Sequence, residues 1–145
     1  MVDRGYDIDA LSLGMTASSS HIISEDDIHL FANISGDTNL VHLSEDYAKK
    51  TIFKKRIAHG LISASFFSAL FGTKLPGEGC VYVQQNLHFK KPVYIGDKVF
   101  ALIEIIGIDI KKRRVFFKTS CKVENKVVID GTAEIYIPPK NLITK

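Results

Sequence analysis

Apolar and polar positions follow two rhythms along this chain, and the rhythm changes near its middle. In the first half Ile28, Phe31 and Ala32 recur at helical spacing behind Ser24. Asp27, three residues after Ser24, completes the spacing at which a hydroxyl and a carboxylate satisfy each other's backbone donors. The spacing predicts a helix from Ser24 to Ser35 closed by Gly36. Ser44 followed by Glu45 and Asp46 predicts a second, short helix ending near Lys50, with its acidic residues at the positive end of the dipole. From Ala58 to Phe71 the chain reads AHGLISASFFSALF, apolar on every face and stopped by Gly72. A helix of that kind has to be enclosed rather than covered along one stripe.

The second half supplies the enclosure. CVYVQQNLHFKKPV, KVFALIEIIGID, RRVFFKTSCKV and KVVIDGTAEIYI are rich in β-branched and aromatic residues. Turn signals at Tyr94 to Asp97 and at Glu124 to Lys126 separate the later ones. Four long strands after a buried helix, with a further strand near Leu11 to Ser18, predict an α+β domain in which a curved antiparallel sheet wraps a long central helix. In the first of the four, Val81, Val83, Gln85, Leu87 and Phe89 fall on one face and Tyr82, Gln84, Asn86 and His88 on the other. The second face is polar and aromatic but sparsely charged, which suits dimerisation through the sheet.

Composition narrows the class without changing this picture. At 145 residues there is room for one core, so residues 1–145 read as a single domain, and 46% hydrophobic content is too high for intrinsic disorder. The uncharged run from Gly60 to Thr73 falls short of the roughly 20 residues that cross a bilayer, so no membrane role is expected. Cys80 and Cys121 form no CxxC pair, and Asp3, Asp7 and Asp9 stand where a targeting segment is apolar or basic; both point to a reducing, cytoplasmic setting. A net charge of +3 in short clusters (Lys54 to Arg56, Lys111 to Arg114) does not imply nucleic-acid binding, but it permits a local anion site.

Two places carry candidate chemistry. Gly36-Asp37-Thr38-Asn39-Leu40-Val41-His42 sets a carboxylate, an amide and an imidazole within a few residues, and Ile57-Ala58-His59-Gly60 opens the apolar helix, where free N–H groups attract a developing negative oxygen. Each has a plain alternative. Asp, Thr and Asn after Gly are ordinary loop residues, His42 and His59 serve equally as packing or capping histidines, and Ser68 bonds its own helix backbone. Asp37, His42 and His59 lack metal-ligand spacing, so no metal site is expected.

In combination these residues resemble a known family. D-x-N-x-x-H (Asp37, Asn39, His42), the aromatic-basic loop Phe53 to Arg56, I-A-H-G (Ile57 to Gly60) and S-x-x-S-x-L (Ser65, Ser68, Leu70) are similar to the hydratase-2 motif of the MaoC-like dehydratases, nearest to the single-domain (R)-specific enoyl-CoA hydratases. F-K-K-P-V-Y-I-G-D (Phe89 to Asp97) is similar to a second segment of that family. The resemblance implies a single-domain hot-dog fold, working as a homodimer or higher assembly. It implies a reaction without cofactor: syn addition of water to trans-2-enoyl thioesters, giving (R)-3-hydroxyacyl products, or the reverse. Asp37 and His42 take the place of the catalytic pair, Gly60 N–H that of the oxyanion donor, and Asn39 and Ser68 orient the pair. Phe71 is a candidate wall of the acyl pocket, with ordinary core as the equal alternative. The carrier is coenzyme A or an acyl-carrier protein, whose phosphates or acidic surface Lys54, Lys55, Arg56, Lys90 or Lys91 would meet. The other readings are a 3-hydroxyacyl-[acyl-carrier-protein] dehydratase, a hot-dog thioesterase, and an acyl-CoA-binding protein without turnover.

Overall fold

The structure, a computed structural model, describes residues 5–140, so Asp3 and the two ends of the expected 1–145 domain lie outside the described residues. A short 3-10 turn at Ile8–Ala10 precedes strand β1 (Thr16–Ile22), and helices α1 (Glu25–Ser35), α2 (Leu40–Leu43), α3 (Glu45–Lys49) and α4 (Gly60–Thr73) follow. The chain then runs through β2 (Val81–Gln85), β3 (His88–Phe89), β4 (Lys98–Asp109), β5 (Arg114–Val123) and β6 (Lys126–Tyr136). The strands form one antiparallel sheet in the order β1-β4-β5-β6-β2, with β3 pairing on β6.

α1 forms as its sequence dictates. Ser24 Oγ accepts from Asp27 N–H while the Asp27 carboxylate accepts from Ser24 N–H, and Gly36 ends the helix at φ 77°, a left-handed conformation that glycine adopts without a Cβ penalty. In the long strands alternate residues face α4: Val99, Ala101, Ile103 and Ile105 of β4, and Val115, Phe117, Thr119 and Cys121 of β5, are buried. From α4, Ile62, Phe67, Leu70 and Phe71 meet them. The result is a long central helix on an antiparallel sheet, the hot-dog arrangement.

Four local departures have physical causes. α4 starts at Gly60, not Ala58, because Ala58 N–H is taken by the Val93 carbonyl at 2.7 Å and Ile57 pairs with Tyr94. The N-terminal strand begins at Thr16, after a turn at Gly14 (φ 87°), rather than at Leu11. The expected long strand from Cys80 splits into β2 and β3: its register on β6 shifts between Tyr82 and Gln84, and Asn86 turns its side chain onto the Thr132 backbone and hydroxyl. Lastly, within one chain α4 is covered on one side only, leaving Leu61, Ser65, Ser68, Ala69 and Gly72 exposed.

Candidate active site

The loop after Gly36 is built by short side-chain bonds. Ser35 Oγ accepts from Asp37 N–H at 3.0 Å, Asp37 Oδ1 accepts from Asn39 N–H at 3.1 Å, and Asn39 Oδ1 accepts from Val41 N–H at 3.2 Å. Asn39 thereby caps α2, the four-residue helix that carries His42. Its amide sets the imidazole's height by starting the helix beneath it.

His42 is fixed from two sides. Its Nδ1–H donates to the Ile57 carbonyl at 2.8 Å, which leaves Nε2 as the nitrogen with the free lone pair. Its own carbonyl accepts from Arg56 Nε at 2.7 Å, and Arg56 Nη1 continues to Glu25 Oε1 at 2.5 Å. Arg56, read from sequence with the lysines as a contact for phosphates or an acidic carrier surface, is instead 7% exposed and committed to these partners. The reason is its position at the turn into Ile57, where the side chain is drawn under α2. Lys90 and Lys91 both line the cavity described below, and Lys90 is paired there with Asp130 at 2.9 Å.

His59, 2% exposed, lies against both motif residues. Its ring stacks on His42 with centroids 3.9 Å apart, and its Nε2–H donates to the Asp37 carbonyl at 3.0 Å. Side-chain ligand atoms of Asp37, His42 and His59 lie within 4.8 Å of one another. A metal ion is not the natural occupant: Nε2 of His59 is spent on a carbonyl and Nδ1 is fully enclosed, so the residue has no nitrogen open to an ion. A carboxylate beside an imidazole with an open Nε2 is an arrangement for moving protons.

Burial holds the His42 imidazole below its ordinary 6.5, and the neighbouring His59 pushes the same way, while the Ile57 carbonyl and the Asp37 carboxylate push back. In an NMR titration His42 should therefore protonate below pH 6.5. The unfolded imidazole takes its proton more readily than the folded one, so this residue's contribution to stability declines as pH falls beneath 6.5. A midpoint at or above that value contradicts the environment described.

A cavity of about 330 Å³ opens next to His42, walled by Phe53, Ala58, Gly60, Phe89 and Lys91 among others. Gly60 is the first residue of α4, where backbone N–H groups have no acceptor within the helix and the dipole is positive. A Cβ on Gly60 would come within 2.6 Å of the Phe89 ring, so glycine is what lets the ring lie against the helix start. Gly60→Ala should lower turnover by roughly tenfold to a hundredfold by displacing groups at the cavity. Adding Phe89→Ala should recover most of the loss, and a double variant as slow as the single would refute the clash.

Of the residues singled out in the sequence, the structure brings Asp37 and His42 together, with Gly60 on the same cavity as His42. Ser68 is exposed, eight residues and about 12 Å of helix rise from Gly60. Phe71 is 1% exposed and packs edge-on against Phe117 and Tyr82 at 4.7 and 5.1 Å. Sequence reasoning left out Arg56 and the Ile57 carbonyl as supports of His42, and read His59 as a packing or capping residue; its ring is packed and its side chain caps nothing.

The model of the MaoC like domain family matches residues 12–130 of the chain. An (R)-specific enoyl-CoA hydratase of Rhodospirillum rubrum is 52% identical over 127 residues, covering 88% of each chain. A 3-hydroxybutyryl-CoA dehydratase of Methylorubrum extorquens is 44% identical over 90% of this chain and 83% of its own. Among solved structures, the unliganded R-hydratase PhaJ1 of Pseudomonas aeruginosa superposes with a TM-score of 0.88 at 40% identity, over 94% of this chain and 88% of that one.

Proposed function

This chain belongs to the MaoC-like dehydratase family, and we propose that it is an enzyme that adds water syn across the double bond of trans-2-enoyl thioesters to give (R)-3-hydroxyacyl thioesters, and runs the reverse dehydration. One observation carries the reading: an exposed carboxylate, Asp37, lies beside the His42 imidazole, whose Nδ1–H is tied to Ile57 and whose Nε2 is open, and His42 shares its cavity with Gly60, the first residue of α4.

Hydration needs three things. Water must be activated as it attacks C3, a proton must reach C2, and the negative charge that grows on the thioester oxygen must be held. Asp37 accepts the proton of the attacking water, His42 Nε2 holds that water, and one member of the pair returns a proton to C2, so the sum is one water added. Gly60 N–H receives the charged oxygen, a contact whose loss costs roughly 3 to 4 kcal/mol in other enzymes. Because Asp37 and His42 stand side by side, hydroxyl and proton arrive on the same face of the alkene. The sequence of transfers is acid-base throughout and needs no cofactor.

The working unit is a homodimer in this reading. The outer face of α4 is uncovered, and the edge strand β2 exposes Val81, Tyr82 and Val83 at 47, 38 and 44%. A second copy would cover both. Ser68, too far along α4 to support the pair of its own chain, would serve across that interface, while Phe71, enclosed in the core, takes the other of its two expected roles as a packing residue. The two free cysteines, Cys80 and the buried Cys121, fit a reducing cytoplasm. Among the described residues no helix is long and apolar enough to cross a membrane.

The test is crotonyl-CoA with two readouts. Loss of the enoyl absorbance with the thioester intact supports hydration, whereas thiol release with the enoyl band unchanged identifies a thioesterase, and binding without either identifies an acyl-CoA-binding protein. The same assay on acyl-carrier-protein thioesters of several lengths separates the coenzyme A hydratase from a 3-hydroxyacyl-[acyl-carrier-protein] dehydratase.

A further inference from the structure

The reaction proposed above needs the base on Asp37 and the oxyanion donor at Gly60 to keep a fixed separation, yet they belong to different elements. Asp37 sits in an exposed loop whose other hydrogen bonds are all local: Ser35 to Asp37, Asp37 to Asn39, Asn39 to Val41 and to His42 N–H. Among the described residues, the one hydrogen bond that ties residues 36–39 to a distant segment is His59 Nε2–H to the Asp37 carbonyl, 22 positions apart. His59 is the residue immediately before Gly60 and stands at the N-cap of α4, but its side chain makes no capping bond. Its ring is wedged between Phe31 of α1, at 4.8 Å, and His42 of α2, at 3.9 Å, and its Nδ1 is buried without a partner.

We propose that His59 is a positioning residue: its Nε2–H pins the Asp37 main chain to the start of α4 and thereby holds base and oxyanion donor in register. Leaving a buried nitrogen unpaired is costly. The fold nevertheless spends the other nitrogen on Asp37 and none on capping, as expected if the tether is what the residue is there to supply. The enclosure of the ring keeps it from substrate, so its effect on the reaction passes through Asp37. The inference rests on the hydratase reading for its catalytic consequence but not for the tether itself.

Three substitutions separate donor from bulk. His59→Gln keeps an N–H at similar reach, His59→Met has the same length without the donor, and His59→Phe keeps a ring without the donor. Two experiments are run on each: steady-state kinetics for kcat and KM with crotonyl-CoA, and hydrogen-deuterium exchange of the segment 36–43. The expected result is a fall in kcat of about tenfold to a hundredfold in His59→Met and His59→Phe, with KM changed less than about threefold, because misplacing a reacting group by an ångström has this scale of effect. Exchange in 36–43 should quicken in the same two variants and stay near the parent's in His59→Gln, which should also retain most of the turnover. If His59→Met and His59→Phe exchange and turn over like the parent, or if His59→Gln is as impaired as they are, the tether is refuted. Should the parent itself not hydrate crotonyl-CoA, the hydratase reading fails while the exchange comparison still decides the tether.

Discussion

Asp37→Asn should lower hydration of crotonyl-CoA by at least about 10²-fold, and His42→Gln by a similar factor, the range over which a positioned proton-transfer group acts. Asn retains an oxygen to accept from Asn39 N–H, the bond that Asp37 Oδ1 makes, so the loop keeps its turn and loses only its base. Asp37 is exposed and forms no ion pair among the described residues, so its replacement should leave the melting temperature close to the parent's. Gln at position 42 keeps an amide donor for the Ile57 carbonyl but has no nitrogen that exchanges a proton near neutral pH. Near-parental activity in either variant would remove the pair from the mechanism. Equal loss of activity and of stability would reduce it to a structural one.

Phe117→Ala should destabilise the protein by about 3 to 5 kcal/mol. The ring has no solvent exposure, faces α4 from the middle of β5, and meets Phe71 edge-on with centroids 4.7 Å apart. Removing it deletes one of the larger fully buried side chains and leaves a cavity that the sheet and the helix cannot both close. Urea unfolding measures the loss through a lower midpoint at unchanged slope. A cost under about 1 kcal/mol would mean that the seam between α4 and β5 is not the packed centre of the fold. The consequence reaches the site, because the same helix that this ring anchors presents Gly60 at its other end.

What was legible in the sequence is what is decided locally. Ser24 and Asp27 are three residues apart and cap α1 by themselves, Gly36 supplies its own left-handed stop, and β4 spans the Lys98–Asp109 stretch that its residues mark out. The Asp37, Asn39 and His42 spacing likewise became one connected turn and helix. What escaped the sequence depends on partners far along the chain. Ala58 looks helical until Val93 takes its N–H, and the strand through Asn86 looks continuous until Thr132 takes its side chain, 46 residues away. Arg56 was misread for the same reason: a basic residue after two lysines looks solvated unless Glu25, 31 residues earlier, and the His42 carbonyl are known to wait for it. The resemblance in motif pointed to Asp37 and His42 as the candidate pair; what holds His42 and Asp37 in place, the Ile57 carbonyl, Arg56 and His59, is visible only in the fold.

Hydration of crotonyl-CoA in deuterium oxide, followed by stereochemical analysis of the product, tests the central claim directly. With Asp37 and His42 working from one side, deuterium at C2 should lie on the face that received the hydroxyl, and the product should be (R)-3-hydroxybutyryl-CoA, in keeping with the (R)-specific relatives. Deuterium delivered to the opposite face would contradict a reaction run by this pair, and an (S) product would contradict the (R)-specific reading.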